Sequence, residues 1–446
     1  MIGPTPKSAD GARHIRQGVM WAASLLITAL LFWEPPMPPG AEAGIWFIIL
    51  LTVVAIAWGD SRAVVLDGGR VMAPISLTAA IALSMMATLP GTEMIGMSGG
   101  FIVLVVGVGT AVGALSRWHG DQRAITMAEL AMRLLITALV AGAVRLPIDS
   151  GPSLLTREFE WAEREWLLAV SLMGVAGLAV AVQTLLWSWE RSAREHVRYG
   201  VALVDELRAI GPLVGGVVTS AVMVVLVARV IGPIALPIFL VPLILLAEAT
   251  RRQTAVGEAN TQTVRALSKL TDQGGFTPMG HAGRVALLSV SVGRELNLGE
   301  PQLRDVEYAA LLHDLGQVSL ARPIPGGATI HVSAVDQRRM AANGARVLAR
   351  TAELSKLSSI VAQQATPYWR MEELGTLPIG SRIVRVVNGY EDLTGEFAGR
   401  AQIVKALSRL RLSVGYDYDP VVFAAMVKVL RRRGAITQEE HEELDV

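Results

Sequence analysis

The sequence predicts an all-α protein in two parts, an eight-span helical membrane domain followed by an all-helical soluble domain. Three observations carry this reading. Apolar runs recur between Gly18 and Ala249. After Arg251 the chain turns charged, and no apolar run there reaches spanning length. No sustained alternation of apolar and polar residues marks a sheet. The expected division is a polytopic membrane domain over 1–250, a juxtamembrane linker helix over 251–275 and a helical domain over 276–446.

Composition agrees with that division. The chain is 52% apolar and 18% charged, against about 25% charged in an ordinary soluble domain. A formal net charge of +1 offers no case for a nucleic-acid polymer as partner. The absence of cysteine excludes disulfides and thiolate metal sites.

A membrane span needs about 20 mainly apolar residues. Candidates lie near 17–33, 44–58, 71–89, 99–116, 124–146, 166–188, 212–231 and 233–249, the last two separated only by Gly232-Pro233. The first is preceded by Lys7, Arg13 and Arg16 but followed by Phe32-Trp33-Glu34-Pro35-Pro36, which is no cleavage site, so it reads as a retained span. Trp21, Trp46, Trp58, Trp166 and Trp189 fall near span ends, where amphipathic rings prefer to sit. Arg62, Arg70, Arg117, Arg123, Arg191, Arg194, Arg198 and Arg208 load one set of loops, and only Arg157 and Arg164 load the other. The positive-inside rule then places both termini in the cytoplasm, with the lipid bilayer as the first partner. Glu129 and Arg133, four residues apart, are placed to pair on one face of the fifth span.

Residues 251–272 read as a helix leaving the membrane, with a thin stripe of Val256, Val264, Leu267 and Leu270. The stripe is either a dimer seam or a face packed on its own domain; the expected assembly is a homodimer. Gly274, Gly275 and Pro278 end the helix. Helical periodicity resumes at Val285, Leu288, Val292 and Leu296, then in a second helix from about Pro301 that ends as LLHDLGQ. Gly316 suits a left-handed position after that helix. Ser333 and Asp336 suit the start of a third. Further helices are expected around 353–364, 379–393, 399–412 and 419–433. An imidazole and a carboxylate adjacent at a helix end, His313-Asp314, can both bind one divalent ion, with His281 supplied from another helix. On spacing alone, a capped helix end with a chance histidine explains the dipeptide equally well. Tyr368, Trp369 and Arg370 form either a stacking platform for a base or a packing plug.

The stretch GHAGRVALLSVSVGRELNL followed by AALLHDLGQ resembles the start of an HD-GYP domain, a branch of the HD metal-dependent phosphohydrolases. NGARVLART, SRIVRVVNGYEDLTG and VGYDYDPVVFAAMVKVL extend the likeness over about 260–432. The membrane half is similar to sensor regions that precede such domains in bacteria, which implies a place in the bacterial inner membrane. Carried over, His281, His313 and Asp314 occupy family metal positions, and His313 and Asp314 are the implied catalytic pair. Asp272 sits near an acidic position before the first histidine. The departures are as informative. The family lysine is Gln317, the third-helix histidine falls at Met340, and a histidine pair falls at about Gln363 and Gln364. The GYP loop is absent and the late metal-binding aspartate is Asn388.

The resemblance implies one divalent ion, iron, manganese or magnesium, held by His281, His313, Asp314 and the Asn388 oxygen, with a metal-free domain as the alternative. The leading expectation is a membrane-anchored signalling protein with a degenerate HD-GYP-like domain that binds a nucleotide or a protein partner with little turnover. The competing expectations are an active mononuclear phosphohydrolase or cyclic-dinucleotide phosphodiesterase, and a transporter or scaffold in which Glu129 and Arg133 matter most.

Overall fold

The computed structural model describes residues 6–33, 43–66, 70–91, 96–118, 126–147, 152–161, 164–320, 324, 328–351, 354–396 and 398–444. It is all-α apart from one two-residue antiparallel pair, β1 (Val64–Val65) and β2 (Val71–Met72). The chain divides into two compact units, one of residues 9–194 and 202–255, the other of residues 1–8, 195–201 and 256–446.

The first unit draws on α1 (Pro6–Trp33), α2 (Ala43–Ser61), α3 (Pro74–Met85), α4 (Gly99–Trp118), α5 (Met127–Arg145), α6 (Leu154–Glu160), α7 (Glu165–Glu195), α8 (Tyr199–Ile231) and the start of α9 (Ala235–Gln273). Among the described residues, three helical stretches, not eight, are long and apolar enough to cross a membrane: Ala43–Ser61, Glu165–Glu195 and Tyr199–Gln273. The third contains two of the expected spans. A Cβ on Gly216 of α8 would meet the methyls of Leu243 and Leu246 of α9, so the two helices double back at Gly232, whose φ of 75° makes the turn. The span expected over 71–89 is corrected outright. α3 has 12 residues, about 18 Å at 1.5 Å per residue against a hydrocarbon core of about 30 Å. Every one of its residues is buried, which matches its all-round apolarity. α3 touches α2 so closely that a Cβ on Gly59 would lie 2.7 Å from Ser76 Oγ.

The pairing expected between Glu129 and Arg133 is also corrected. Glu129 reaches back to the start of its own helix: its carboxylate accepts from Thr126 N at 2.8 Å while Thr126 Oγ1 accepts from Glu129 N. Arg133 Nη1 instead donates to both oxygens of fully buried Asp60, at 2.5 and 2.6 Å. Ser76 Oγ lies 2.7 Å from the same carboxylate. Arg145 is buried and donates to the carbonyl of Ser84, which occupies a main-chain oxygen at the end of α3, and to that of Met97, ahead of α4.

The second unit consists of the rest of α9 and of α10 (His281–Glu295), α11 (Glu300–Leu312), α12 (Ala334–Leu348), α13 (Ser358–Gln363), α14 (Met371–Leu374), α15 (Ile379–Thr394), α16 (Arg400–Arg411), α17 (Pro420–Arg432) and α18 (Gln438–Leu444). α15 is its centre and packs against α10, α11, α13, α16 and α17 around Val384, Val387, Phe423 and Met426. The α9 stripe packs partly on its own unit: Val264 is buried and Leu267 lies against this core, while Val256 and Leu270 stay exposed.

Gly316 has a different reason from the one the sequence suggested. It is not among the residues with positive φ. A Cβ there would lie 1.9 Å from the carbonyl oxygen of Met340, so the turn after α11 passes directly against the backbone of α12. That contact holds the segment after Asp314 in place.

Candidate metal centre

Four elements deliver the donors. His281 is the first residue of α10. His313 ends α11, and Asp314 begins the turn that follows. Asn388 and Asp392 project from one face of α15, one helical turn apart. His281, His313 and Asp314 are all buried, and their donor atoms lie within 4.8 Å of one another.

His313 Nδ1 lies 2.8 Å from the Ala310 carbonyl oxygen, which fixes the proton on Nδ1 in the neutral ring and points the Nε2 lone pair inward. Nε2 lies 3.1 Å from Asn388 Oδ1 and 3.1 Å from Asp314 Oδ2. His281 Nε2 lies 2.9 Å from the same Asn388 oxygen, 3.6 Å from Asp314 Oδ2 and 3.9 Å from Asp392 Oδ1. Asp314 Oδ2 is buried without a hydrogen bond of acceptable geometry. With Nδ1 protonated, the His313 Nε2 lone pair faces the oxygens of Asn388 and Asp314, an arrangement that needs a proton or a cation between them.

The electrostatics express that need. Burial pushes His313 down, but the Asp314 carboxylate 3.1 Å from Nε2 and the Ala310 carbonyl outweigh it and lift the ring to about 9. Burial would raise Asp314, yet His313 and His281 hold it below the usual carboxylate range. Burial pulls His281 down despite Asp314. Burial and the neighbouring Asp314 charge raise Asp392 to about 6.

The residues present fit a divalent ion. Ligand atoms at about 2.0–2.2 Å from one cation stand roughly 3–4.4 Å apart, and the spacings above run from 2.9 to 3.9 Å. Imidazole nitrogen with carboxylate and amide oxygen is a donor set that a first-row divalent ion accepts. His313 also has the outer hydrogen bond to a main-chain carbonyl that orients a ligating imidazole.

The structure brings together all four candidates read from the sequence, His281, His313, Asp314 and Asn388. Asp272 lies elsewhere: its carboxylate accepts from Thr277 Oγ1 at 2.7 Å and Gly280 N at 2.8 Å and closes the turn before α10. Asp392 was missed, although its spacing of four from Asn388 on a helix was available as a signal. Thr329 was missed too. Its hydroxyl receives the Asn388 amide and donates to Asp392 Oδ2, both at 3.0 Å. No sequence pattern links it to residues 59 and 63 positions away.

A cavity opens beside the centre, lined by His313, Asp314, Gln317, Met340, Gln364 and Arg385 among others. Met340 and Gln364 thus occupy its wall without supplying imidazole. Gln364 Nε2 donates to the His313 carbonyl at 2.7 Å. Gln317 is buried, and among the described residues neither polar atom of its amide has a hydrogen-bond partner of acceptable geometry. Among the described residues Arg385 is the one Lys or Arg in the lining. Trp369 stacks on Tyr416, 6.0 Å between centroids, and its backbone N–H donates to the Tyr416 carbonyl, so the aromatic pair braces its own chain. The side chain of His331 lies outside the described residues.

A known phosphodiesterase shares part of this sequence. The chain is 29% identical over 164 residues to a cyclic di-GMP phosphodiesterase of Pseudomonas aeruginosa, a match that covers 34% of this chain and 38% of that relative. The matched segment is thus well under half of the relative's length. No family model matches. The similarity supports the HD superfamily at that coarse level, and the structure separately offers one His/Asp group that could hold a metal ion.

Proposed function

We propose that this is a membrane-anchored signalling protein whose helical second unit holds one divalent cation and recognises a phosphodiester of the cyclic-dinucleotide class, with slow turnover. The observation that carries this reading is the convergence of His281, His313 and Asp314, with Asp314 Oδ2 buried and unsatisfied. An ion held there supplies Lewis acidity toward a phosphoryl oxygen and acidifies a bound water. The chain's own residues do the rest. The Ala310 carbonyl keeps His313 Nε2 turned to the centre. Arg385, anchored by Asp417 at 3.0 Å, offers the cavity a positive charge for the phosphate where Gln317 offers none. Slow turnover follows from Met340, Gln363 and Gln364, which supply no imidazoles for a second ion.

Membrane anchoring is supported by the apolar stretches over Ala43–Ser61, Glu165–Glu195 and Tyr199–Gln273, and by outward-facing Leu50, Val54, Val170, Leu178 and Leu245. The loop charges orient both termini to the cytoplasm of a bacterial inner membrane. A second reading, a proficient cyclic-dinucleotide phosphodiesterase, is favoured by the curated relative.

The test uses the full chain purified in detergent. Metal content measured by inductively coupled plasma spectrometry is expected at about one ion per chain. Cyclic di-GMP binding followed by calorimetry is expected to weaken in Arg385→Ala. Turnover above about 1 s⁻¹, the low end of ordinary enzymes, would favour the second reading. A wild-type protein that takes up no divalent ion defeats both.

A further inference from the structure

We propose that Asp392 serves the cation site from beside it and supplies the second negative charge that Asn388 does not. This rests on the one-ion reading of the site above.

The argument begins with a buried charge. Asp392 has a side chain 3% exposed. Among the described residues no Lys or Arg pairs with it, and the side chain that faces Oδ1 is the His281 imidazole, with Nε2 at 3.9 Å. A buried carboxylate without a partner is costly, and such groups normally pair or coordinate metals. The two oxygens are not equivalent. Oδ2 accepts from Thr329 Oγ1 and from Ile330 N, each at 3.0 Å, and is satisfied. Oδ1 is the oxygen left facing the histidines.

Thr329 makes this a built arrangement. Its hydroxyl takes the Asn388 amide proton on one side and gives its own to Asp392 on the other. One residue therefore fixes the Asn388 amide so that Oδ1, not Nδ2, faces both imidazoles, and fixes Asp392 so that Oδ1 faces inward. Independently, Asp314 Oδ2 is buried and unsatisfied in the same centre. Asp314 and Asp392 together carry two negative charges against two imidazoles that are neutral when ligating. A divalent cation balances that set, whereas Asp314 alone would leave it a charge in excess. The i, i+4 geometry of α15 puts Asp392 on the face already occupied by Asn388, so the charge sits one turn along, with Oδ1 3.9 Å from His281 Nε2.

The experiment measures Mn²⁺ affinity of the full chain in detergent by equilibrium dialysis, with melting of the metal-free protein alongside. Asp392→Asn is expected to weaken Mn²⁺ binding on the order of 100-fold, at the upper end of what loss of a supporting group costs a metal site. It is expected to raise the metal-free melting temperature, because a buried charge is removed. The double variant N388D/D392N, which moves the charge back one turn, is expected to recover most of the affinity. Where Asp392→Asn does not fold, Thr329→Val carries the test through a roughly 10-fold loss. If Asp392→Asn, or Thr329→Val in its place, binds Mn²⁺ like the wild type while Asp314→Ala does not, the assignment of Asp392 is overturned and the one-ion site stands. If the wild type binds no Mn²⁺, Fe²⁺ or Mg²⁺, both are overturned.

Discussion

Each unit buries a cluster of ionisable groups, and the two clusters are built on opposite principles. In the first unit Asp60 faces Arg133, which reaches both carboxylate oxygens, and Ser76 adds a further contact. Donors match acceptors and charge matches charge. In the second unit His281, His313, Asp314, Asn388 and Asp392 turn acceptors toward one another, and Asp314 Oδ2 is left unsatisfied. A saturated buried pair needs nothing more and holds helices together. An unsaturated buried set takes up a proton or a cation. Burial of charge alone does not separate structure from function; the balance of donors and acceptors does.

The largest effect that would break the comparison is removal of a donor from the open cluster. His313→Ala and Asp314→Ala are expected to drop metal content from about one ion per chain to none, measured on the purified protein. Retained metal in both variants would remove the distinction between the clusters.

Next in size is the closed cluster. Arg133→Met leaves Asp60 buried and unpaired and is expected to cost about 3–5 kcal/mol, read as a fall in melting temperature in detergent. The double variant D60N/R133M is expected to recover most of it, because a saturated pair replaced whole leaves no orphan charge. Failure of the double variant to recover would point to a role beyond packing.

The third effect is a pH slope confined to the open cluster. In metal-free protein the folded His313 is raised to about 9 from 6.5. The folded state binds that proton more tightly than the unfolded chain does. The stabilisation is therefore complete below pH 6.5 and is lost as pH rises through about 9. Melting of the metal-free protein should fall over that window, and Asp314→Asn should flatten the fall. Divalent affinity should rise over the same window, since the metal displaces the proton. The reverse slope would contradict the assigned tautomer and charge.

The smallest effect sharpens the contrast. Glu129→Ala removes only one side of a capping pair with Thr126 and is expected to cost no more than about 1 kcal/mol. A transport or signalling defect without loss of stability would return Glu129 to the list of functional residues.

Much was legible from residue order. The periodicities located α10, α12, α15, α16 and α17 within a residue or two, and Ser333 marked the start of α12, where its hydroxyl accepts from Asp336 N. The likeness of the HD segments selected His281, His313, Asp314 and Asn388 before any coordinates. Three things were not legible. An apolar run over 71–89 looks the same whether it crosses a bilayer or folds into a short buried helix, because hydropathy reports burial and not the surroundings. The spacing of Glu129 and Arg133 permitted a pair, but Asp60, 73 positions from Arg133, competed and won. Gly316 looked like a helix terminator, whereas its requirement comes from Met340 on another helix.

The sequence by itself determined that this chain is helical, that an apolar first part gives way to a charged second part, and that an imidazole-carboxylate pair ends a helix. These follow from local periodicity, composition and residue type, which are properties of neighbours in the chain. Only the tertiary structure decided which buried charges are satisfied. Asp60 and Asp392 are both apparently unremarkable acids in the sequence. One is closed by an arginine and the other is left facing two histidines, because hydrogen bonding and charge balance are settled between helices that the chain brings together from far apart.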